Sequence, residues 1–196
     1  MESLYIDSIK KRFLYYKNLG DKTFEQLTDE QIFWQYNEES NSIATIVKHV
    51  SGNMISRWTN FLTEDGEKSW RNRDSEFENS LKNKTDVIEL WENGWRVFLD
   101  ALSEINEQNL ESTIYIRGEA HSVLDAVNRQ LAHYPYHIGQ MVYIAKMLKN
   151  NDWKTLSIAR NTSEDFNQKM LENSENENSS PVCYAKSSDV RDEFKQ

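Results

Sequence analysis

Residues 131–148 read LAHYPYHIGQMVYIAKML, and this stretch decides the fold. Leu131, Tyr134, Ile138, Met141 and Ala145 recur at three- and four-residue spacing and extend a stripe begun by Val123 and Val127, the pattern of one buried helix face. Placed at about 100° intervals, His133 and His137 fall together on the flank of that stripe, with Gln130 and Gln140 beside them. Two imidazoles four residues apart stack on one face, where both can reach a single metal ion. Pro135 stands between them; it removes one backbone hydrogen bond and crowds the carbonyl of Leu131. Because the periodicity runs on to Leu148, the expectation is a local kink rather than a helix end.

Outward from this stretch, a second amphipathic segment begins at Ile43 with IATIVKHVSGNMISRW. Its predicted helix covers about 43–62, with Ile43, Val47, Val50, Met54, Trp58 and Phe61 as the apolar stripe. His49 lies on the flank of that stripe, in line with Ile46 and Asn53. Packed flank to flank, the two helices would bring together three of the four histidines in the chain. Further helices are predicted over 2–19, stopped by Gly20-Asp21, and over 85–105, with Val87, Leu90, Trp91, Phe98, Leu102 and Ile105 buried. Trp34, Trp58, Trp91 and Trp95 read as core.

The connections are long. Thr28 and Gln31 form a capping-box pattern that opens a short turn, and Ser122 with Asp125 forms a capping pair that starts the last long helix. Alternation over Thr113–Ile116 and the turn at Gly118 predict a small hairpin before that helix. Residues 63–84 are charged and read as a loop carrying Trp70, Arg71, Arg73 and Asp74; a loop of this length in a compact domain is often functional. A short helix over 163–172 precedes an acidic, flexible tail that contains the single cysteine, Cys183. The expected architecture is all-α, a four-helix bundle over 1–160 followed by a tail region over 161–196.

Composition narrows the function classes. The chain has 196 residues, enough for one domain with a sizeable core. Six tryptophans and nine tyrosines supply burial that the mean hydropathy of −0.80 would not suggest. A net charge of −9 argues against nonspecific binding to nucleic acid or to an anionic membrane. One cysteine excludes an intrachain disulfide and a cysteine-rich metal site, and fits a reducing compartment. The opening MESLYIDSIKKRF has no apolar signal core, and no apolar run approaches the roughly 20 residues of a membrane span. A cytoplasmic protein is expected.

Neutral imidazole suits Zn²⁺, Ni²⁺, Fe²⁺ or Cu²⁺, and three such ligands leave positions open for water or substrate. An open site of this kind activates a bound water or holds a thiolate. HxxxH spacing is common by chance, and the competing reading is a pair of flank histidines satisfied by neighbouring side chains. HExxH, P-loop, GxGxxG and GxSxG patterns are absent, and no ExxH pair lies on the two histidine helices. His121, at the junction of hairpin and helix, either hydrogen-bonds at the helix start or contacts substrate. Arg117, at the Gly118 turn, is either a solvated tip or an anion anchor if the turn folds over the site. With Asn53 and Gln140 these complete the candidate pocket.

KHVSGNMISRW at 48–58, WRNRDSEF at 70–77, IRGEAHSV at 116–123 and NRQLAHYPYHIGQMVYIAK at 128–146 together resemble the DinB-like superfamily of four-helix-bundle proteins. The nearest likeness is to a bacterial subfamily described only as uncharacterised, and it covers about residues 1–150. The resemblance implies an up-down-down-up bundle, a homodimer, and a divalent metal held by His49, His133 and His137, with Zn²⁺ or Ni²⁺ first and Fe²⁺ or Mn²⁺ as alternatives. Relatives include bacillithiol and mycothiol S-transferases and a glutathione-dependent isomerase branch. The leading expectation is therefore a metal-dependent transferase acting on a low-molecular-weight thiol. A metal-dependent hydrolase ranks lower because no glutamate base is evident near the histidines. The third reading is a non-enzymatic, stress-associated dimer with a structural metal.

Overall fold

The structure is a computed structural model that describes residues 4–78 and 80–176. Of the tail expected to be flexible, residues 173–176 are helical, and residues 177–196, including Cys183, lie outside the described residues. The chain divides into a unit of Met1–Trp153 and a second unit of Lys154–Gln196. The first contains helices α1 (Leu4–Glu25), α2 (Asp29–Phe33), α3 (Ile43–Trp58) and α4 (Lys84–Glu104), strands β1 (Thr113–Ile116) and β2 (Glu119–Ser122), and helix α5 (Val123–Lys149). In the second, α6 runs over Ser163–Asn176.

Local sequence chemistry sets most of these boundaries. Thr28 and Gln31 form the reciprocal capping box at α2, Ser42 caps α3 through the Thr45 amide, and Ser122 caps α5 through the Asp125 amide. Arg117 and Gly118 both take positive φ, 57° and 75°, which closes the hairpin with the twist its strands require. α5 continues across Pro135. Two expected boundaries are wrong: α3 ends at Trp58 rather than near Leu62, and α1 does not stop at Gly20-Asp21 but continues to Glu25. Gly20 is there for packing, because a Cβ at that position would collide with the Trp91 ring. Asp21 accepts from Trp91 Nε1 at 2.7 Å and from Lys17 Nζ at 2.9 Å, which binds this turn to α4.

Contacts fix the helix directions. α1 and α5 run parallel, with Tyr5 donating to Asn128 and Phe13 meeting Tyr134 farther along. α3 and α4 also run parallel, through Ser51 against Gly94 and then Trp58 against Phe98. α1 opposes α4, where Phe13 meets Phe98 and Lys17 meets Glu92. α3 opposes α5, where His49 meets His137 and Asn53 meets Tyr134. This is an up-down-down-up bundle. The parallel α3–α4 pair forces the chain back along the bundle between them, and residues 59–78 make that return past the flank of α3.

One aromatic cluster takes a ring from each long helix: Phe13, Trp58, Trp95 with Phe98, and Tyr134, none more than 2% exposed. Phe13 and Phe98 meet edge to face at 4.6 Å, and Phe98 meets Tyr134 at 5.3 Å. Trp58 Nε1 donates to the Tyr134 hydroxyl at 3.1 Å, which donates in turn to Asn53 Oδ1 at 3.2 Å. The rotation of α5 is thereby pinned at Tyr134, the residue next to His133. No helix among the described residues is long and apolar enough to cross a membrane.

Candidate metal centre

With Tyr134 turned into the core, His133 and His137 face α3 and meet His49. His133 Nε2 lies 3.3 Å from His49 Nε2 and 3.1 Å from His137 Nε2. One ring nitrogen from each histidine falls within 4.8 Å of the others, so the three could hold a metal ion. The rings are steeply inclined to one another, at 70° to 83°, so that their edges converge on one point.

The opposite nitrogen of each ring is held from behind. His49 Nδ1 is 3.0 Å from Glu76 Oε2, His133 Nδ1 is 3.4 Å from Gln130 Oε1, and His137 Nδ1 is 2.9 Å from Gln140 Oε1. A carboxylate and two amide oxygens can only accept, so each Nδ1 carries the proton and each Nε2 is left with its lone pair. Three lone pairs then face each other at close range. That arrangement is unfavourable by itself and favourable around a cation, and the backing hydrogen bonds fix ring orientation as they do behind metal-ligating histidines. The donor set therefore fits a divalent metal.

The surroundings keep His133 and His137 neutral. Burial first, then the charges of His137, His49, Arg57 and Arg71, push His133 down to about 3. Burial also lowers His137, with the Gln140 hydrogen bond opposing and His49 adding to the shift. An unfolded histidine protonates near pH 6.5, whereas folded His133 does so only near 3, so between those values the unfolded chain binds more protons. Metal-free protein is thus expected to keep its full stability above about pH 6.5 and to lose it progressively as the pH falls towards about 3. Urea titrations across this range check the sign, and the loss should be shallower in His133→Gln. A stability that is flat or rises on acidification would contradict the buried, neutral cluster.

Glu76 arrives on a short 3-10 turn, Asp74–Phe77, carried by the returning segment. Lys48 clamps that segment to α3 by donating to the carbonyls of Ser75 and Glu78, both at 2.6 Å, and to Ser80 Oγ at 2.8 Å. Arg71 grips the Glu76 carboxylate with two donors, Nε to Oε1 at 2.8 Å and Nη2 to Oε2 at 3.1 Å. Burial pushes the Glu76 carboxyl up, and its bonds to His49 and Arg71 more than reverse this, holding it below the usual carboxylate range. The neighbouring Phe77 ring stacks on His49 at 5.5 Å.

Gly52 makes the room, because a Cβ there would collide with the Glu76 carboxylate. Gly52→Ala raises intrinsic helix propensity by about 1 kcal/mol, yet it should displace Glu76 and weaken metal binding by roughly 10–100-fold, the usual effect of losing a backing partner. Competition with a chromophoric chelator measures this. Unchanged affinity would mean that Glu76 does not orient His49.

The other candidate residues separate. Gln140 backs His137, and Asn53 lies beneath the centre in the Tyr134 hydrogen-bond chain. His121 is not among the three clustered histidines; its Nδ1 is 2.8 Å from Asp125 Oδ2, and Arg129 Nη1 donates to its Nε2 at 3.0 Å, both at the start of α5. Arg117 pairs with Glu67 at 3.1 Å, beside the Asp65 carboxylate that accepts from its amide. Of the loop residues singled out from sequence, Arg71 reaches the centre, Trp70 is 60% exposed, and Arg73 sits over Phe77. The expectation of no glutamate near the histidines is corrected by Glu76, which lies 27 positions from His49. Its only signal in the sequence was its place in WRNRDSEF.

Comparison with curated proteins finds no match. A family model described as a protein of unknown function, DUF1572, matches residues 1–162. That match takes in the four long helices, the hairpin and all three converging histidines, and the chain belongs to DUF1572, a DinB-like family.

Proposed function

We propose that this is a divalent-metal-binding protein that acts as an S-transferase on a low-molecular-weight thiol. The observation that carries the reading is the convergence of three Nε2 lone pairs, each ring locked through Nδ1. Imidazole donors favour Zn²⁺ or Ni²⁺, with Fe²⁺ or Mn²⁺ behind them. Among the described residues no fourth histidine, cysteine, aspartate or glutamate joins the group, which supports a centre with positions left for substrate over a closed structural one. When bound, the ion supplies Lewis acidity that lowers the pKa of a coordinated thiol. The chain itself supplies orientation. Glu76, Gln130 and Gln140 hold the rings, and Phe77 and the buried Tyr134 pack beside the histidines as apolar walls.

Glu76 weighs against hydrolysis. Both its oxygens are committed to His49 and Arg71, so it is not free to take a proton from water. The resemblance to the DinB-like superfamily, whose members include thiol S-transferases, supports thiol chemistry. Loaded with Zn²⁺ or Ni²⁺, the protein is expected to conjugate a bacillithiol-type thiol to a chromogenic electrophile at a metal-dependent rate. The sulfur–carbon bond forms, the leaving group departs with its electron pair, and the thiol proton passes to solvent. Metal-dependent hydrolysis in thiol-free buffer, with no thiol conjugation, would move the assignment to a hydrolase. Neither activity from a metal-loaded protein would leave a structural metal.

A further inference from the structure

Arg57 lies on α3 two turns beyond His49, past Asn53 on the same side of the helix. The residue is 6% exposed, and neither its Nε nor its Nη1 finds a hydrogen-bond partner. A guanidinium keeps its charge under all ordinary conditions and carries five donors, so burying it without an acceptor is costly unless another molecule supplies one. The acids nearby are already engaged. Glu67 Oε2 accepts from Arg117 Nε at 3.1 Å and from Arg71 Nη1 at 3.5 Å, and Glu76 is shared by His49 and Arg71. Arg71 and Arg129 add positive potential at Arg57, with Glu67 and Asp65 opposing. Asp65 is close enough to feel the Arg57 charge, but its oxygens are taken by the amides of Glu67, Arg117 and Gly118.

The corner adjoins the histidine centre. Helical side chains lean towards the helix N-terminus, so Arg57 reaches back along α3 towards His49, about 12 Å away along the axis. Between the two on α3, Asn53 accepts from the hydroxyl of Tyr134, the neighbour of His133 on the facing helix. On the other side the backbone at Gly66 closes against the arginine stem, where a Cβ would stand 2.8 Å from Arg57 Cδ. The arginine is thus packed against the returning segment, with Nε and Nη1 buried and unpartnered.

We propose that Arg57 anchors a carboxylate of the molecule that occupies the histidine centre, so that the substrate is a low-molecular-weight thiol bearing a carboxylate several bonds from its sulfur. A planar monoanion matches the guanidinium in both shape and charge. The sulfur rests on the thiol reading above; the carboxylate rests on the surroundings of Arg57.

The test is calorimetric titration of Zn²⁺-loaded protein with ω-mercaptocarboxylates of three to six carbons, against mercaptoalcohols of equal length and against hexanoate. At the best length the carboxylate is expected to bind at least tenfold more tightly than the alcohol, and Arg57→Met should bring the ratio to about one. Arg57→Lys should retain part of the preference. Equal binding of acid and alcohol by the parent protein overturns the anchor and leaves the thiol reading standing, and this comparison holds even if Arg57→Met does not fold. A preference that survives in Arg57→Met also overturns it. Binding of hexanoate that is lost in Arg57→Met, with no sulfur contribution from any thiol, supports the anchor and overturns the thiol reading. If no probe of any kind binds, both fall.

Discussion

Replacing His133 by Ala is expected to abolish metal binding while leaving the metal-free protein at least as stable as its parent. His133 Nε2 is the nitrogen that both other rings approach, at 3.3 and 3.1 Å, so its removal takes away a ligand and the geometric centre of the group. The loss in affinity should exceed the roughly 10–100-fold that removal of a backing partner causes. Without metal, the substitution relieves the confrontation of lone pairs, and the half-buried site lets water enter the space left. At a free Zn²⁺ concentration 100 times Kd the parent should gain about 2.7 kcal/mol of stability, and the variant should gain none. Thermal melts of both proteins with and without Zn²⁺ read this directly. Equal metal-induced shifts in parent and variant would remove His133 from the centre.

The second large effect is expected at Tyr134. It is fully buried where all four long helices meet, and Tyr134→Ala should cost about 3–5 kcal/mol, a large share of the roughly 5–15 kcal/mol that holds a domain together. The variant also strands Trp58 Nε1 and the buried Asn53 side chain, each of which loses its hydroxyl partner. Tyr134→Phe isolates that part and should cost about 1–3 kcal/mol. Because Tyr134 sets the rotation of α5, Tyr134→Ala should weaken metal binding as well, although it removes no ligand. Urea unfolding gives the stabilities. A cost below about 1 kcal/mol for Tyr134→Ala would show that the aromatic hub does not hold the bundle.

The histidines were legible because helical periodicity is a strong local signal. Once the stripes of α3 and α5 are drawn, His49, His133 and His137 can only sit on their flanks, and Gln130 and Gln140 fall beside them. Glu76 was not legible in the same way. It sits in a segment without periodicity, and its position depends on Arg71 in the same stretch and on the Lys48 clamp and the space at Gly52, both on α3. Gly20 misled for a related reason: a glycine followed by an aspartate reads locally as a helix stop, and only the Trp91 ring in the assembled bundle explains it. Arg57 looked unremarkable in SGNMISRW. Its significance lies in what surrounds it without pairing with it.

X-ray absorption at the zinc edge of Zn²⁺-loaded protein tests the central claim most directly. The three-histidine centre predicts one ion per chain with three imidazole nitrogens at about 2.0–2.1 Å, a further light-atom donor, and replacement of that donor by sulfur at about 2.3 Å when a thiol is added. A chain that retains no zinc, or zinc held by four protein ligands with no response to thiol, would contradict it.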